Sequence, residues 1–207
     1  NMGLISNGTT LLDAGALDSG IATGAMTLIK TLTLGSAAAN ISFVDGASDV
    51  VFDGTYKEYV FKFINIHPNA DGPDYTFNVS IDGGSNYNVS KTSTQFNARQ
   101  SEGDSTGFSY ITGNDLANGT GFQNIGDGVG SGAADESLSG TLQIFDVAST
   151  TKVKHFTSIV NNYRTNDDTY NVFTGGYANT TSAVNAIQFK FSSGNTDSAT
   201  IKMYGIK

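Results

Sequence analysis

His67 and His155 are the only imidazoles in this chain, and it contains no cysteine. That inventory removes disulfides, thiolate metal sites and cysteine nucleophiles together. A Ser-His-Asp hydrolase needs a positioned imidazole base. His67 precedes Pro68 at the end of an apolar run, and His155 lies within an alternating one. No Gly-x-Ser-x-Gly elbow accompanies either, so both read as structural or surface histidines. Two isolated histidines also fall short of the usual zinc ligand set. Carboxylates are the remaining chemistry. A glycosidase needs only two of them flanking a sugar bond, and Asp74, Glu102, Asp104 and Glu136 are the candidates. Acids in loops are ordinarily solvated surface groups, and no pairing among these is readable. The expectation is a protein that is not an enzyme, with no catalytic residue assigned.

Oxygen-rich loops leave one cofactor open. Asp45 to Asp49, Asp71-Gly72-Pro73-Asp74 and Asn166-Asp167-Asp168 offer the ligands a hard cation such as calcium takes. None follows the twelve-residue EF-hand loop. The same residues form turns, because Asp and Asn side chains cap backbone groups and tolerate left-handed backbone. Calcium at Asp71, Asp74, Asp167 and Asp168 therefore stands beside plain turn formation. The run Gly126-Asp127-Gly128-Val129-Gly130 lacks the Lys-Ser/Thr of a phosphate loop. Aromatic residues give a better lead to binding. Tyr87, Tyr110, Tyr163, Tyr170 and Tyr177 fall near expected strand ends or loops, with Asn86, Arg99 and Arg164 nearby. Tyrosine presents an apolar face to a sugar ring and a hydroxyl for hydrogen bonding. Tyr87, Tyr110, Tyr163, Tyr170, Arg99 and Arg164 are thus the candidate ligand-binding set, with a host-surface glycan as the ligand. Core packing explains strand tyrosines equally well.

The elements that must position these residues are strands. Gly, Asn, Ser, Thr and Asp abound while charged residues make up 14%, a composition that withholds the usual helix formers. Thirteen phenylalanines and nine tyrosines suit pleated, half-buried surfaces. Met26, Leu28 and Leu32 mark a run ending at Gly35; Ile41 and Phe43 mark another. Tyr59 to Ile66 is the strongest strand, and its apolar phase changes between Phe63 and Ile64, which predicts a bulge or burial on both faces. Tyr75, Phe77, Val79 and Ile81 alternate before Asp82-Gly83-Gly84, a hairpin signal leading to Tyr87 and Val89. Arg99 to Asp135 reads as a loop-rich insert, ordered only around Phe108, Tyr110 and Ile111, and such an insert usually means function or partner contact. Strands resume at Leu138 to Ile144, Val153 to Val160 and Tyr170 to Phe173. A closing pair follows, with Ile187, Phe189 and Phe191 in one strand and Ile201 and Met203 in the other. About ten strands at this spacing predict a single all-β domain over 25–207, an antiparallel β-sandwich of jelly-roll type. The glycine-spaced residues 1–24 read as an extended or flexible arm.

Several stretches carry a resemblance. Met2 to Thr9, Tyr56-Lys57-Glu58-Tyr59-Val60-Phe61-Lys62-Phe63-Ile64-Asn65-Ile66-His67-Pro68, Ala186 to Asn195, and Thr200-Ile201-Lys202-Met203-Tyr204-Gly205-Ile206 are similar to virion structural or surface proteins of marine tailed phages, cyanophages in particular. The resemblance implies a capsid-decoration, tail or fibre role and brings no catalytic residues with it. It implies a homo-oligomer, a trimer by preference, in contact with other virion proteins. A virion location follows, with synthesis in the host cytoplasm. Gly3 to Asn7 shows no signal-peptide pattern, and no stretch reaches the length of a membrane span. The net charge of -8 argues against nucleic acid and anionic membranes as partners. Recognition of a host glycan and, last, glycan degradation are the alternative roles.

Overall fold

The computed structural model describes residues 26–207. Ahead of them it describes only the backbone of β1 (Leu4–Ser6), β2 (Thr9–Asp13) and β3 (Ala16–Leu17), which pair antiparallel in the order β1-β2-β3. The expected arm over 1–24 otherwise lies outside the described residues. Twelve strands follow. They are β4 (Met26–Thr33), β5 (Ile41–Val44), β6 (Glu58–Pro68), β7 (Tyr75–Ser80), β8 (Lys91–Ser101) and β9 (Thr106–Tyr110), then β10 (Gln123–Gly126), β11 (Leu138–Phe145), β12 (Lys154–Arg164), β13 (Asp168–Ala178), β14 (Ala186–Phe191) and β15 (Thr196–Ile206). They form two antiparallel sheets, one of eight strands ordered β4-β15-β6-β11-β12-β13-β8-β9 and one of four ordered β10-β7-β14-β5. The described residues contain no helix. The fold is the expected all-β sandwich, unequally divided between its sheets.

Its core is aromatic where β6 faces the smaller sheet. Phe61 packs edge-on against Phe43 at 5.4 Å and Phe189 at 5.3 Å, and Phe63 does the same with Tyr75 and Phe189. Such edge-to-face contacts stabilise beyond the area they bury. The phase change in β6 is a bulge. Leu138 pairs with Ile66 while Gly140 pairs with Phe63, and the β15 register skips at the same place. Asn65 takes the extra position with φ +49, a left-handed conformation that asparagine tolerates. The bulge leaves Ile64 exposed and returns Ile66 to the core.

Two expectations are corrected. Tyr87 to Val89 is not a strand. The Asp82–Gly84 turn exists, but β7 pairs with β14 and β10 instead. Side chains close the turn instead: Asp82 accepts from Ser80, the Asn86 N–H and the Asn86 amide, and the Tyr87 carbonyl accepts from Asn78 Nδ2. The centre is also more ordered than its glycine content implied. β8 occupies Lys91–Ser101, β9 follows it, and β10 lies inside the glycine-rich run. Gly176 shows how closely β8 and β13 approach: a Cβ there would sit 2.4 Å from the Thr92 carbonyl oxygen and 2.9 Å from Phe156.

Candidate interaction surface

β8 is inverted relative to an ordinary sandwich strand. Lys91, Ser93, Gln95 and Asn97 point inward and are buried, while Phe96 and Ala98 point outward. Burying such groups is costly unless each finds a partner. Most do. Gln95 Nε2 donates to the Asn124 carbonyl at 2.8 Å and to Thr174 Oγ1 at 3.0 Å, and Ser93 Oγ donates to Gln123 Oε1 at 2.6 Å. Lys91, fully buried, donates to Asn78 Oδ1 at 2.6 Å and to the Val89 carbonyl at 2.8 Å. Its burial pushes the ammonium pKa down to about 7. Lys154 lies in the same cross-strand row, on the other side of Ala178. It donates to the carbonyls of Ser149, Lys152 and Thr180.

The consequence appears on the other face. Across β12, β13, β8 and β9 the register aligns Ile159, Phe173, Phe96 and Tyr110 in one row, with Asn161, Asn171, Ala98 and Phe108 beside it. Flanking rows hold Thr157, Gly175 and Thr94 on one side and Tyr163, Thr169, Gln100 and Thr106 on the other. A further row holds His155, Tyr177 and Thr92. No Asp, Glu, Lys or Arg stands in any of these rows. Phe96 and Phe173 stack in parallel at 5.0 Å, and Phe108 tilts against Phe96 at 5.6 Å. Phe108 is nevertheless 72% exposed, and Tyr110 and Ile159 are each 51% exposed. A contiguous apolar patch rimmed by hydroxyls and carboxamides marks an interaction surface. The charges return on the other half of the same face, where Lys62 and Lys202 stand opposite each other and Lys62 lies 5.4 Å from the Tyr204 ring centroid.

Of the candidate ligand-binding set, Tyr110 and Tyr163 lie on this uncharged face, and Tyr177 and His155 share it in its outermost row. The Tyr110 and Tyr163 hydroxyls are engaged: Tyr110 donates to Asp115 at 2.6 Å and Tyr163 to Asp167 at 2.8 Å. The hydrogen bond to Asp167 carries the Tyr163 hydroxyl pKa up to about 12. Arg99, Arg164, Tyr170, Asp167 and Asp168 gather with Tyr163 at one end of the sandwich, around the β12–β13 turn. There Arg164 lies over the Tyr170 ring at 4.6 Å, donates to its hydroxyl at 3.0 Å and approaches Asp127 at 3.9 Å. Arg99 pairs with Asp168 at 3.5 Å. Tyr170 and Asp168 are buried, so this cluster ties the turn down.

Asp71 and Asp74 belong to the adjoining loop. Asp71 accepts from the Ser131 N–H and Asp74 from the Gly128 N–H, each at 3.0 Å. Among the described residues no group of three His, Cys, Asp or Glu side chains converges as a metal site. Tyr87 stands apart, its hydroxyl closing over Gly84. His67 holds the Glu136 carbonyl through Nδ1 at 2.6 Å. The residues that sequence reasoning missed are Phe96, Phe173 and Ile159, whose outward direction depends on the inversion of β8 and its register with β13.

Fold and surface together define an antiparallel sandwich with an uncharged aromatic ladder facing solvent. No family model matches the chain, and no curated protein or solved structure matches it.

Proposed function

We propose that this chain is a non-enzymatic structural protein of a phage particle, a capsid-decoration or tail and fibre component. In this reading it assembles with copies of itself, preferably as a trimer, through the uncharged half of its outer sheet face. The observation that carries the assembly reading is the inverted strand β8, which spends inward positions on Lys91, Gln95 and Asn97 while Phe96 faces water. An acidic chain of net charge -8 repels its own copies over most of its surface. The aromatic ladder is a surface on which two copies meet without like charges opposed, and like-charge juxtaposition is what disfavours a wrong contact. The resemblance of the β6 segment and the closing strands to marine-phage virion proteins supplies the particle context.

The solution mass of the purified protein by light scattering tests the assembly. The wild type should be an oligomer, and Phe173→Asp, which places a charge in the ladder, should be a folded monomer. A monomeric wild type, or an oligomer untouched by Phe173→Asp, removes this reading. A second reading, recognition of a host-surface glycan, is favoured by the alternation of rings with Thr and Asn side chains on the same face. Selective binding on a glycan array, lost in Phe173→Asp, would move the assignment there.

A further inference from the structure

The central segment between β9 and β10, whose length and irregularity point to a role beyond connection, covers the outer side of the smaller sheet. With the 82–91 segment it buries β7 on both faces: Asn78 donates to the Thr120 and Gly121 carbonyls and to the Tyr87 carbonyl, and Ser80 is held by the Asp82 turn. Between this cover and β7 and β14 lies a cavity of about 350 Å³, within the range that small-molecule sites occupy. It meets the aromatic ladder only through Tyr110, whose hydroxyl holds Asp115, and its polar groups converge from both walls. Asp74 and Lys190 come from the sheet side, Asn114, Asp115 and Phe122 from the cover, and Asn124 from β10.

Three features of the lining go beyond a solvated crevice. Asn124 is 94% buried by its 6% exposure, and its Nδ2 has no hydrogen-bond partner. Buried amide donors are otherwise nearly always paired. This one faces the Asp74 carboxylate, whose pKa burial raises and the Gly128 N–H, then the Asn124 amide, lower. Second, the Lys190 ammonium lies 4.1 Å from the Phe122 ring centroid and makes no ion pair among the described residues. Third, Asp115 is oriented from behind by the Tyr110 hydroxyl, leaving its remaining lone pairs for another donor.

We propose that this cavity is a binding site for a saccharide residue. A pyranose carries donors and acceptors around its rim and an apolar face. The lining offers the complement: two carboxylates to accept from hydroxyls, an ammonium and a carboxamide to donate, and one ring, Phe122, for the apolar face. Two carboxylates against one ammonium disfavour a phosphate or sulfate ligand. The site does not rest on self-assembly and shares only Tyr110 with the aromatic ladder, although it would serve glycan recognition.

The test uses the full chain and a panel of free D-glucose, D-galactose, D-mannose and N-acetyl-D-glucosamine, read by saturation-transfer NMR and titration. A Cβ at Gly113, in the cavity wall, meets nothing within 4 Å, so a side chain has room to start there and Gly113→Tyr is the variant chosen to obstruct the cavity. Wild type should bind at least one of these sugars, and Gly113→Tyr should bind it at least about tenfold more weakly, the effect of losing one well-made polar contact or more. Its unchanged thermal unfolding would show that the loss is not misfolding. No saturation transfer from the wild type to any of the sugars overturns the proposal, as does transfer that Gly113→Tyr leaves intact. Glycan-array binding that survives Gly113→Tyr but fails in Phe173→Asp would keep surface recognition and discard the cavity.

Discussion

The β6–β15 part and the β8 part of the eight-stranded sheet bury opposite chemistries, while β12 and β13 between them still bury Phe156, Val160 and Val172. Where β6 and β15 run, rings and aliphatic side chains face inward and Lys62 and Lys202 face out. Where β8 runs, carboxamides, a hydroxyl and an ammonium face inward and rings face out. The first half follows from burial alone, since removing apolar surface from water is the main stabilising term of folding. The second works against that term and is held by hydrogen bonds, which contribute far less net stability each. A sheet can accept such a half only if the other half stabilises the whole, and only an outer contact recovers what the exposed rings forgo. On the proposed assembly, the difference separates a part that folds the chain from a part that would engage another copy.

The comparison breaks most directly at Phe61, which touches Phe43, Phe52 and Phe189 in the aromatic half. Phe61→Ala should cost about 3–5 kcal/mol, the usual loss for a fully buried ring, measured by urea unfolding. A loss below about 1 kcal/mol would mean that the aromatic half is not where the fold is held.

Lys91 tests the polar half. Its folded pKa of about 7 lies below the ordinary 10.5, so between these values the unfolded chain binds the proton more tightly than the folded one. Stability should therefore rise as pH increases from about 7 toward 10, by up to ~1.4 kcal/mol per pH unit. Below about pH 7 the full cost of burying the ammonium is present. Urea unfolding at pH 7, 8 and 9 measures this rise, and in Lys91→Met it should vanish. A wild type flat over that range would show that Asn78 and the Val89 carbonyl compensate the ammonium for its lost water.

The contrast between halves also explains what the sequence made legible. β6, β7, β14 and β15 were readable because their large apolar residues alternate, as in Ile187, Phe189 and Phe191, and the bulge at Asn65 was readable from the phase change. β8 was not. Its buried residues are Ser93, Gln95 and Asn97 and its outer ones include Thr92 and Thr94, so both faces read as polar and no period appears. β10 has no alternation either, with Gln123, Asn124, Ile125 and Gly126 all buried, and it is a strand because β7 offers it an edge. In the candidate surface, tyrosine chemistry pointed to Tyr110 and Tyr163, but direction had to come from register. Tyr170-Asn171-Val172-Phe173 places apolar residues on both faces, and only pairing with the inverted β8 decides that Phe173 looks outward. The cavity at Asp74 and Asp115 joins residues far apart in sequence, which no spacing can reveal.

Arg164 sharpens the comparison at the boundary between the halves and the loops. Arg164→Lys keeps the charge near Asp127 but loses the planar stack on Tyr170 and the fork that reaches its hydroxyl, a substitution that is not conservative at a stacked site. The expected loss is about 1 kcal/mol, read by thermal unfolding, with the solution mass unchanged. A change in mass instead would bring the turn into the assembly surface.

Phe108 gives the smallest effect on folding and the finest test of the outer face. Among the described residues it is the most exposed of the large hydrophobic side chains at 72%, on a five-residue edge strand, and its contact with Phe96 is tilted and solvent-washed. Phe108→Ser should leave unfolding free energy within about 0.5 kcal/mol of the wild type, as for surface substitutions generally. If the ladder is where copies of the chain meet, the same change removes a ring that becomes buried only in the oligomer. The dissociation constant by sedimentation equilibrium should then rise about tenfold. The two readouts move separately only if the ring belongs to the contact and not to the fold. A stability loss above about 1 kcal/mol with no change in association would assign Phe108 to the fold and shorten the ladder to Ile159, Phe173, Phe96 and Tyr110.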